Sequence, residues 1–449
     1  MNQPSSRGKM NNAFDPSKLA SLDNKTRTLV ERRTRLLGPA YRLFYSNPLE
    51  VSRGKGVLLW DKEGNEYLDA YNNVVSVGHA HPAVNKAVAQ QMDTLSTHTR
   101  YLQENILDFA EELLGTFGGS LGSQGHAMFT CTGSEANDLA LRIAQHHTGH
   151  RGIIVTSEAY HGNSLLTAGI SPALGSHSPL GEHVRTVGAP DSFRLDNSTL
   201  GDWFAEQVKE QIDDLQQHGE GLAAFIVDSL FSSDGIFSEP TNLMKQVIDI
   251  VHEAGGVFIA DEVQCGFGRS GEALWGYQRH GLDPDIVTMG KPMGNGYPVA
   301  GIAVRHDIVE QFGTDMRYFN TFGGNTVAIA AAQATFNVIK NEGLVDNAKN
   351  VGMFLKAGLD ELATRHEIIG DIRGTGVYYG VELVSDRSTK TPDVASTTAV
   401  VNGLRDRRVL ISATGASANV LKIRPPLVFS RENATRLISE LDTVLTALN

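Results

Sequence analysis

Short apolar runs alternate with amphipathic segments through the middle of the chain, from about His79 to Phe322. Five of these runs have the length of β-strands: residues 127–131, 153–155, 223–227, 257–260 and 286–289. Segments with helical spacing lie between them, and one places residues at the three-and-four interval of a buried helix face: Ala136, Leu139, Ala140, Ile143 and Ala144. Strands that alternate with helices predict a parallel sheet covered by helices on both faces, with crossover connections that are nearly always right-handed.

The N-terminal part of the chain follows a different pattern. The segment up to about residue 40 is polar and lacks strong periodicity, which predicts an arm, and its Arg32, Arg33 and Arg35 are typical of a solvated helix face. Residues 57–70 then show a strand–turn–strand pattern, with the turn at residues 61–65.

The pattern changes again beyond Gly324. An Ala-rich helical segment runs from Thr326 to about Asn341 and leads into a mixed region that ends with residues 421–430, which predicts a smaller α+β domain. The 449 residues also exceed what one hydrophobic core usually serves. We therefore expect an N-terminal arm and part of a small domain over residues 1–78, a large domain over 79–325, and a C-terminal small domain over 326–449.

The composition is that of an ordinary globular protein, with 41% hydrophobic and 20% charged residues. A formal net charge of −12 argues against a nucleic-acid binder, which needs a basic face. The two cysteines, Cys131 and Cys265, do not suggest a disulfide scaffold and fit a reducing compartment. The N-terminus shows no signal-peptide pattern, and the most apolar stretch, residues 222–230, contains Asp228 and is too short to span a bilayer. We therefore expect a cytoplasmic protein that binds neither nucleic acid nor membrane.

Four segments lie where the carboxyl ends of the predicted strands would place a ligand site. The first, residues 132–137, directly follows a strand and opens a helix. Gly133 lets the backbone approach a ligand, Ser134 offers a hydroxyl, and the free N–H groups of the helix N-terminus attract an anion, so together they predict a phosphate cup. Because Ser134 is also a good capping residue, a plain helix N-cap is the alternative.

The second segment is Tyr160-His161-Gly162, after the strand that ends near Val155. An aromatic residue in a loop at a strand end can stack on a planar cofactor ring. A tyrosine that only packs in a turn is the alternative.

The third segment, DEVQCGFGR, begins at Asp261 and follows a buried run. An acid at the tip of a buried strand is costly unless it has a partner. Against a pyridine nitrogen, Asp261 would form a charge-assisted hydrogen bond and keep that nitrogen protonated. Metal binding is the competing interpretation of the adjacent acids Asp261 and Glu262, but no His accompanies them at ligand spacing, so we expect no metal. Cys265 is interpreted as a small buried residue.

The fourth segment, GKPMGNG, contains Lys291 and also follows a strand directly. Glycines and apolar residues surround this lysine, which is a poor setting for a surface side chain. Desolvation and nearby positive charge lower the pKa of an amine, which suits Schiff-base chemistry. A surface lysine in a Gly-rich loop is the alternative for this segment taken alone.

Together, and in this order, the four segments resemble the class III aminotransferases of pyridoxal 5′-phosphate (PLP) fold type I, from about Tyr45 to the C-terminus. The most specific match is DEVQCGFGRSG followed by GKPMGNGYPVAG. The resemblance implies an α/β fold, with a large domain whose mostly parallel sheet lies between helices and a smaller α+β domain. It also implies PLP as the cofactor and a homodimer with shared active sites, and it leaves open whether dimers pair into tetramers.

The resemblance assigns roles to the matching positions. The implied cofactor-binding residues are Gly133, Ser134, Tyr160, His161, Asp261, Val263, Gln264, Lys291 and Thr321. Gly133 and Ser134 would bind the cofactor phosphate, and Thr321, in NTFGGN, would reach the phosphate in the neighbouring subunit. Tyr160 would stack on the ring, and Gln264 would lie near the ring hydroxyl.

Lys291 and Asp261 are the implied catalytic residues. Lys291 would form the Schiff base with the cofactor and, once the substrate amine has replaced it, would remove the Cα proton. Asp261 would pair with the ring nitrogen and help the ring to hold the electrons.

Further segments resemble one branch of the family, which contains ethanolamine-phosphate phospho-lyase and phosphohydroxylysine phospho-lyase. They are DAYNNVVSVGH at residues 69–79, TRYL at 99–102 and TGSEANDLALRIAQHHTGH at 132–150. This branch implies elimination of phosphate from O-phosphoethanolamine, giving acetaldehyde, ammonia and phosphate. The alternatives are a 5-phosphohydroxylysine phospho-lyase, a class III ω-amino acid or amine:pyruvate transaminase, and a non-catalytic PLP-binding protein, against which the intact Lys291 and Asp261 argue.

A phospho-lyase also needs a second anion site, for the substrate phosphate. Position and polarity make Tyr41, Arg42, Asn72 and Asn73 candidates, although a turn explains Asn72-Asn73 equally well. Arg424, in IRPPL, has the form of the arginine that binds the substrate carboxylate in many class III transaminases, whereas the ethanolamine-phosphate enzymes have a lysine there. Arg424 therefore leaves open a carboxylate-bearing substrate, a transaminase, or bidentate binding of the substrate phosphate.

Overall fold

The computed structural model describes Met10 and residues 12–448 of the chain. In chain order, the strands are β1 (Val51–Lys55), β2 (Leu58–Asp61), β3 (Glu66–Asp69), β4 (Gly125–Thr130), β5 (Gly152–Thr156), β6 (Val184–Val187), β7 (Leu222–Asp228), β8 (Val257–Asp261), β9 (Ile286–Met289), β10 (Ala300–Arg305), β11 (Ile369–Thr375), β12 (Tyr378–Asp386), β13 (Thr391–Pro392), β14 (Val409–Leu410), β15 (Ser412–Thr414) and β16 (Val420–Ile423).

The helices alternate with these strands through the middle of the chain and flank them at both ends. They are α1 (Asn24–Leu37), α2 (Pro82–Thr94), α3 (Glu104–Leu114), α4 (Gly119–Gln124), α5 (Gly133–Thr148), α6 (Leu165–Ala168), α7 (Leu200–Gln217), α8 (Lys245–Glu253), α9 (His306–Asp315), α10 (Thr326–Asn341), α11 (Leu344–Arg365), α12 (Val394–Asp406) and α13 (Arg431–Thr446). No helix of the described residues is long and apolar enough to cross a membrane.

The largest sheet has seven strands in the order β4-β10-β9-β8-β7-β5-β6. Strand β10 is antiparallel to both of its neighbours, and the other pairings are parallel. All five predicted strands are present, as β4, β5, β7, β8 and β9, and α10 has the predicted bounds Thr326–Asn341. The expected mostly parallel α/β sheet is therefore confirmed, whereas β6 and β10 were not predicted.

Both faces of this sheet are buried. Successive side chains along a strand point to opposite faces, so each central strand contributes to two apolar clusters. Ile226 and Ile259 pack in one apolar cluster with Leu139 of α5. Their strand neighbours Phe225 and Phe258 pack in another cluster, with helices that include α7. Burial on two sides explains why these strands read as continuous apolar runs.

Two smaller sheets flank the large one. The first has the order β1-β2-β3-β14, in which β14 from near the C-terminus pairs parallel with β3 from the N-terminal region. The second has the order β11-β12-β16-β15, with β13 beside β12. The N-terminal arm contains α1, on which Arg32 and Arg35 are exposed, as expected of a solvated helix face.

Candidate active site

A cavity of about 290 Å³ opens at the carboxyl edge of the large sheet. Its walls come from the loops that follow β4, β5, β7, β8 and β9, as an open parallel sheet predicts. Eight of the nine predicted cofactor-binding residues line it: Gly133, Ser134, Tyr160, His161, Asp261, Val263, Gln264 and Lys291. The fold thus brings together residues that are up to 158 positions apart in the printed sequence.

The predicted phosphate cup is the N-terminus of α5. Thr132 is the N-cap, because its hydroxyl accepts from the backbone N–H of Glu135 at 3.1 Å, while Glu135 accepts in return from the backbone N–H groups of Cys131 and Thr132 at 2.8 and 3.1 Å. Capping is therefore not the role of Ser134, whose hydroxyl instead exchanges hydrogen bonds with Asn163. The N–H groups of the first turn and the Ser134 hydroxyl face a cavity that suits an anion.

Gly133 brings the backbone close to the opposite wall of the cavity. A Cβ atom at this position would lie only 2.9 Å from Cγ1 of Val263 and 3.0 Å from Cγ2. Any larger residue would displace Val263 or the cup itself, so the close approach explains the glycine.

Asp261 ends β8 as a buried carboxylate with several donors. Its Oδ2 accepts from Asn137 Nδ2 at 2.9 Å and from His161 Nδ1 at 2.7 Å, and its Oδ1 accepts from the backbone N–H of Val263 at 3.1 Å. Burial alone would raise the pKa of Asp261, but the hydrogen bond from His161, the charge of its imidazole, and the bonds from Val263 and Asn137 together outweigh burial and hold the pKa below its ordinary value. The cavity therefore contains an ionised carboxylate at a strand end, as the ring-nitrogen partner requires.

Lys291 lies just after β9 and lines the cavity, and the preceding Gly290 lies close to Gly133 of the cup. Burial lowers the pKa of its amine, the positive charge of Arg424 lowers it further, and Asp261 and Asp228 oppose these effects. The loop that contains Lys291 is anchored to the segment at residues 77–78, because Asn295 donates to the Gly78 carbonyl at 2.9 Å and accepts from the Val77 N–H at 3.0 Å. A positioned amine with a lowered pKa suits bond formation with an aldehyde and proton removal from carbon.

Tyr160 and His161 complete the wall beside Asp261. Tyr160 is 37% exposed at the cavity rim, and burial raises the pKa of its phenol. His161 is buried, and its Nε2, like Oδ1 of Asn137, has no hydrogen-bond partner within the part of the chain that the structure describes. The cup, the ionised Asp261, the amine of Lys291 and these two free polar atoms fit a planar group that carries a phosphate, a basic ring nitrogen and an aldehyde, as PLP does.

Asn137 and Asp228 line the cavity but were not among the predicted binding residues. Asn137 connects α5 to the centre of the site, since it donates to Asp261 and, at 2.7 Å, to the carbonyl of His161. The sequence feature that could have indicated Asn137 is a polar residue within the apolar face of the helix. Asp228 ends β7 and accepts from Cys265 Sγ at 2.8 Å. Its signal was an acid at a strand tip, the same as that of Asp261.

The predicted substrate-binding residues differ in how close they lie to the cavity. Tyr41 is 65% exposed, Arg42 is exposed, and neither is among the residues that line the cavity. The side chain of Asn72 accepts from the backbone N–H of Val74 at 3.1 Å, which is turn chemistry. Asn73 is buried next to Val74, a lining residue, and its Nδ2 has no partner among the described residues.

Thr321 lies exposed in the loop before α10 and does not line the cavity of its own chain. Its action in a neighbouring subunit stays a prediction.

Arg424 follows β16 and is buried just behind the cavity wall. Its Nη1 donates to Oε1 of Gln264, a lining residue, and its guanidinium lies 4.4 Å from the ring centroid of Tyr71. Its backbone N–H donates to the carbonyl of Ala70 at 2.9 Å, which fixes it against the segment that contains Asn72. Only the side chain of Gln264 therefore lies between the guanidinium of Arg424 and the cavity.

Comparison with known proteins covers almost the whole chain. Residues 44–445 match the model of the aminotransferase class III family. An ethanolamine-phosphate phospho-lyase homolog of Caenorhabditis elegans is 38% identical over 97% of this chain and 97% of its own length. An alanine–glyoxylate aminotransferase 2-like protein of Drosophila melanogaster is 39% identical over 95% of this chain and 88% of its own length. A solved phospholyase from Arthrobacter, described in complex with phosphoethanolamine, is 42% identical with a TM-score of 0.90 and covers 94% of this chain and 100% of its own.

The matched residues include the cavity, the large sheet and both flanking sheets. The similarity therefore concerns the whole architecture, and it confirms the fold type that the four sequence segments implied. The chain belongs to the class III aminotransferase family and uses that family's cofactor, pyridoxal 5′-phosphate.

Proposed function

We propose that this protein is a phospho-lyase that converts O-phosphoethanolamine and water into acetaldehyde, ammonia and phosphate. The observation that carries the proposal is its similarity, over 94% of its length, to an Arthrobacter phospholyase that is described with phosphoethanolamine bound. The similarity to the Caenorhabditis elegans phospho-lyase homolog, over 97% of both chains, supports the same activity.

The site residues divide the chemistry among them. When bound, PLP supplies an aldehyde that takes up the substrate amine and a protonated ring that accepts electrons from Cα. The Lys291 amine, whose pKa burial lowers, removes the Cα proton, and the Cβ–O bond to phosphate then breaks. The carboxylate of Asp261 holds the proton at the ring nitrogen, and His161 and Asn137 hold that carboxylate in place. Phosphate leaves with the electron pair of the Cβ–O bond, and the released enamine takes up a proton at Cβ and is hydrolysed by water to acetaldehyde and ammonia.

We propose the nine predicted cofactor-binding residues as the cofactor site, with Lys291 and Asp261 as its catalytic residues. We also propose a homodimer in which Thr321 reaches the cofactor phosphate of the partner subunit, and the exposure of Thr321, Tyr101, Leu102 and Phe322 supports it. Size-exclusion chromatography with light scattering tests the dimer, and a Thr321→Val variant with undiminished cofactor affinity would contradict the shared site.

The two free cysteines support a reducing, cytoplasmic location.

The decisive assay offers O-phosphoethanolamine to the holoenzyme without any oxo acid. Equal amounts of phosphate and acetaldehyde are expected from a lyase. Turnover only when pyruvate or glyoxylate is added would overturn the proposal and favour a transaminase, the second candidate, which the 39% identity to the Drosophila aminotransferase-like protein supports. The same assay with 5-phosphohydroxylysine in place of phosphoethanolamine tests the third candidate, a 5-phosphohydroxylysine phospho-lyase.

A further inference from the structure

The backbone on both sides of Tyr160 is held by side chains that lie further along the chain. Ser171 Oγ accepts from the backbone N–H of His161 at 2.9 Å. Asp234 Oδ1 accepts from the backbone N–H of Glu158 at 3.2 Å. Tyr160 lies at the rim of the cofactor cavity, so these two anchors limit where its ring can lie.

Asp234 reaches this loop from the segment that follows β7. Its side chain is 6% exposed, and its Oδ2 accepts from the hydroxyl of Thr156, the last residue of β5, at 2.9 Å. One carboxyl thus binds both the end of the strand and the peptide N–H two positions later. It therefore fixes the direction in which the chain leaves the sheet toward Tyr160.

The segment that carries Asp234 is itself held in an unusual conformation. Phe231 and Ile236 are buried and have φ angles of 51° and 65°. Bulky and β-branched residues rarely adopt this left-handed region, and such strain persists only where the surrounding structure imposes it. From the C-terminal sheet, Nε of Arg373 donates to the carbonyl of Gly235 at 2.8 Å. Asp234 is therefore presented to the Tyr160 loop from a fixed support.

The carboxyl of Asp234 is costly to bury. Burial, and to a smaller extent the charge of Glu158, raise its pKa to about 7, although the hydrogen bond from Thr156 opposes them. Groups with perturbed pKa values cluster at functional sites. An apolar side chain would fill the same space without this cost, so we attribute the carboxyl to its two hydrogen bonds.

We infer that Asp234 is a positioning residue that holds the backbone at residues 156–158 and thereby orients Tyr160 against the cofactor ring. This inference rests on the proposed cofactor site, in which Tyr160 stacks on the ring. A ring held at a defined tilt keeps the reacting carbon of the substrate near Lys291, and a small displacement lowers the rate.

Visible circular dichroism of the substrate-free holoenzyme tests the inference, because its amplitude depends on how the asymmetric site orients the cofactor ring. The measurements are made at pH 8, above the pKa of Asp234. Asp234→Leu removes both hydrogen bonds and should lower the amplitude, as Tyr160→Leu should. Asp234→Asn should keep the wild-type amplitude, because its amide can accept from the peptide N–H and donate to the Thr156 hydroxyl.

Hydrogen exchange followed by mass spectrometry gives a second measurement on the same holoenzymes. In Asp234→Leu, exchange of the Glu158 amide should accelerate about 10- to 150-fold, as for the loss of one hydrogen bond to a charged group. Wild-type exchange and dichroism in Asp234→Leu would overturn the inference. An Asp234→Asn amplitude as low as that of Asp234→Leu would overturn it too, because the hydrogen bonds would then not be the cause.

If Asp234→Leu does not fold, Thr156→Val replaces it, because valine keeps the shape of threonine and removes only the hydroxyl donor. A lower amplitude in Thr156→Val supports the inference, and a wild-type amplitude contradicts it. Thr335→Val is the matched control, since Thr335 is a buried threonine on α10 whose hydroxyl donates to the carbonyl of Ala331 at 2.8 Å. It should keep the wild-type dichroism.

The same measurements separate this inference from the proposed function. A wild-type amplitude in Tyr160→Leu would remove the stacking and the inference together. A lower amplitude in Tyr160→Leu but not in Asp234→Leu would remove the inference alone. Because the dichroism is recorded without substrate, a holoenzyme that releases no phosphate from phosphoethanolamine would contradict the phospho-lyase and leave the role of Asp234 in place.

Discussion

His161 Nδ1 lies 2.7 Å from Asp261 Oδ2, and both side chains are buried in the wall of the cofactor cavity. An ionised carboxylate can only accept, so the hydrogen of this bond belongs to the imidazole. The pair keeps a carboxylate charged at a depth where burial favours the neutral acid. His161, which bonds to Asp261, thus helps to keep the carboxylate that faces the cofactor ring negatively charged.

Replacing His161 by phenylalanine should therefore shift the pH dependence of the enzyme. Without the imidazole, burial loses its two largest opposing contributions and the pKa of Asp261 rises, so protonation begins at higher pH. We expect the acid limb of the kcat/KM profile to move to higher pH and kcat to fall about 10-fold or more, as for a lost hydrogen bond to a charged group. His177→Phe, at an exposed position, is the control. An acid limb at the wild-type pH would contradict the role of His161.

Replacing Lys291 by alanine should remove both the bond to the cofactor and the base. The yellow absorbance of the lysine-bound cofactor should disappear, and kcat/KM should fall about 100- to 10,000-fold, the usual contribution of a general base. In the wild type, borohydride reduction followed by peptide mass spectrometry should find the cofactor on Lys291. Lys340→Ala, an exposed lysine on α10, should keep colour and activity. Modification of another lysine would remove Lys291 from the mechanism.

The close approach of Gly133 to Val263 predicts a compensating pair of substitutions. Gly133→Ala alone places a Cβ 2.9 Å from Val263 Cγ1, and overpacking of about 1–3 kcal/mol corresponds to about 5- to 150-fold weaker cofactor binding. Val263→Ala removes both contacting methyl groups, so the double variant should recover most of the loss. The measurement is the Kd of PLP for the apoprotein in a double-mutant cycle. Additive losses would show that the steric contact is not the cause.

Glu262 predicts a pH dependence of stability. Burial raises its pKa to about 7, although Ser229 and the N–H groups of Gly276 and Tyr277 bind it. Between pH 4.5 and 7 the folded protein holds a proton that the unfolded chain releases, so this group lowers stability as the pH rises. We expect the Tm of Glu262→Gln, relative to wild type, to increase from pH 5 to pH 8. Glu253→Gln, at an exposed site on α8, should show no such trend.

Much of the fold followed from local pattern. Five central strands were predicted because burial on both faces gives uninterrupted apolar runs, and α10 because its alanines and valines keep helical spacing. Strand β10 was missed because it follows the lysine loop without a helix and runs antiparallel, which breaks the alternation. The division at residues 78 and 325 stays a prediction.

The site was predictable where one rule of topology applies. Lys291 follows β9 and Asp261 ends the adjacent strand β8, and the carboxyl ends of these parallel strands share an edge, so topology alone brings the two residues together. Arg424 follows a strand of a different sheet and reaches the lining residue Gln264 only through the packing of that sheet against the large one. No local pattern indicates which face of β16 is directed inward, and the sequence therefore left the role of Arg424 open.

The parallel pairing of β3 with β14 has a consequence for the order in which a ribosome delivers this protein. Leu68 and Ala70 donate to the backbone carbonyls of Arg408 and Leu410, and Arg424 donates to that of Ala70, so the segment that contains Tyr71 lacks these C-terminal partners until nearly the whole message has been read. Contacts between such distant positions are slow to form, because a long loop must close first. The nascent chain consequently completes the lining of the cavity by Val299 but obtains the last supports behind it only near the end of its synthesis.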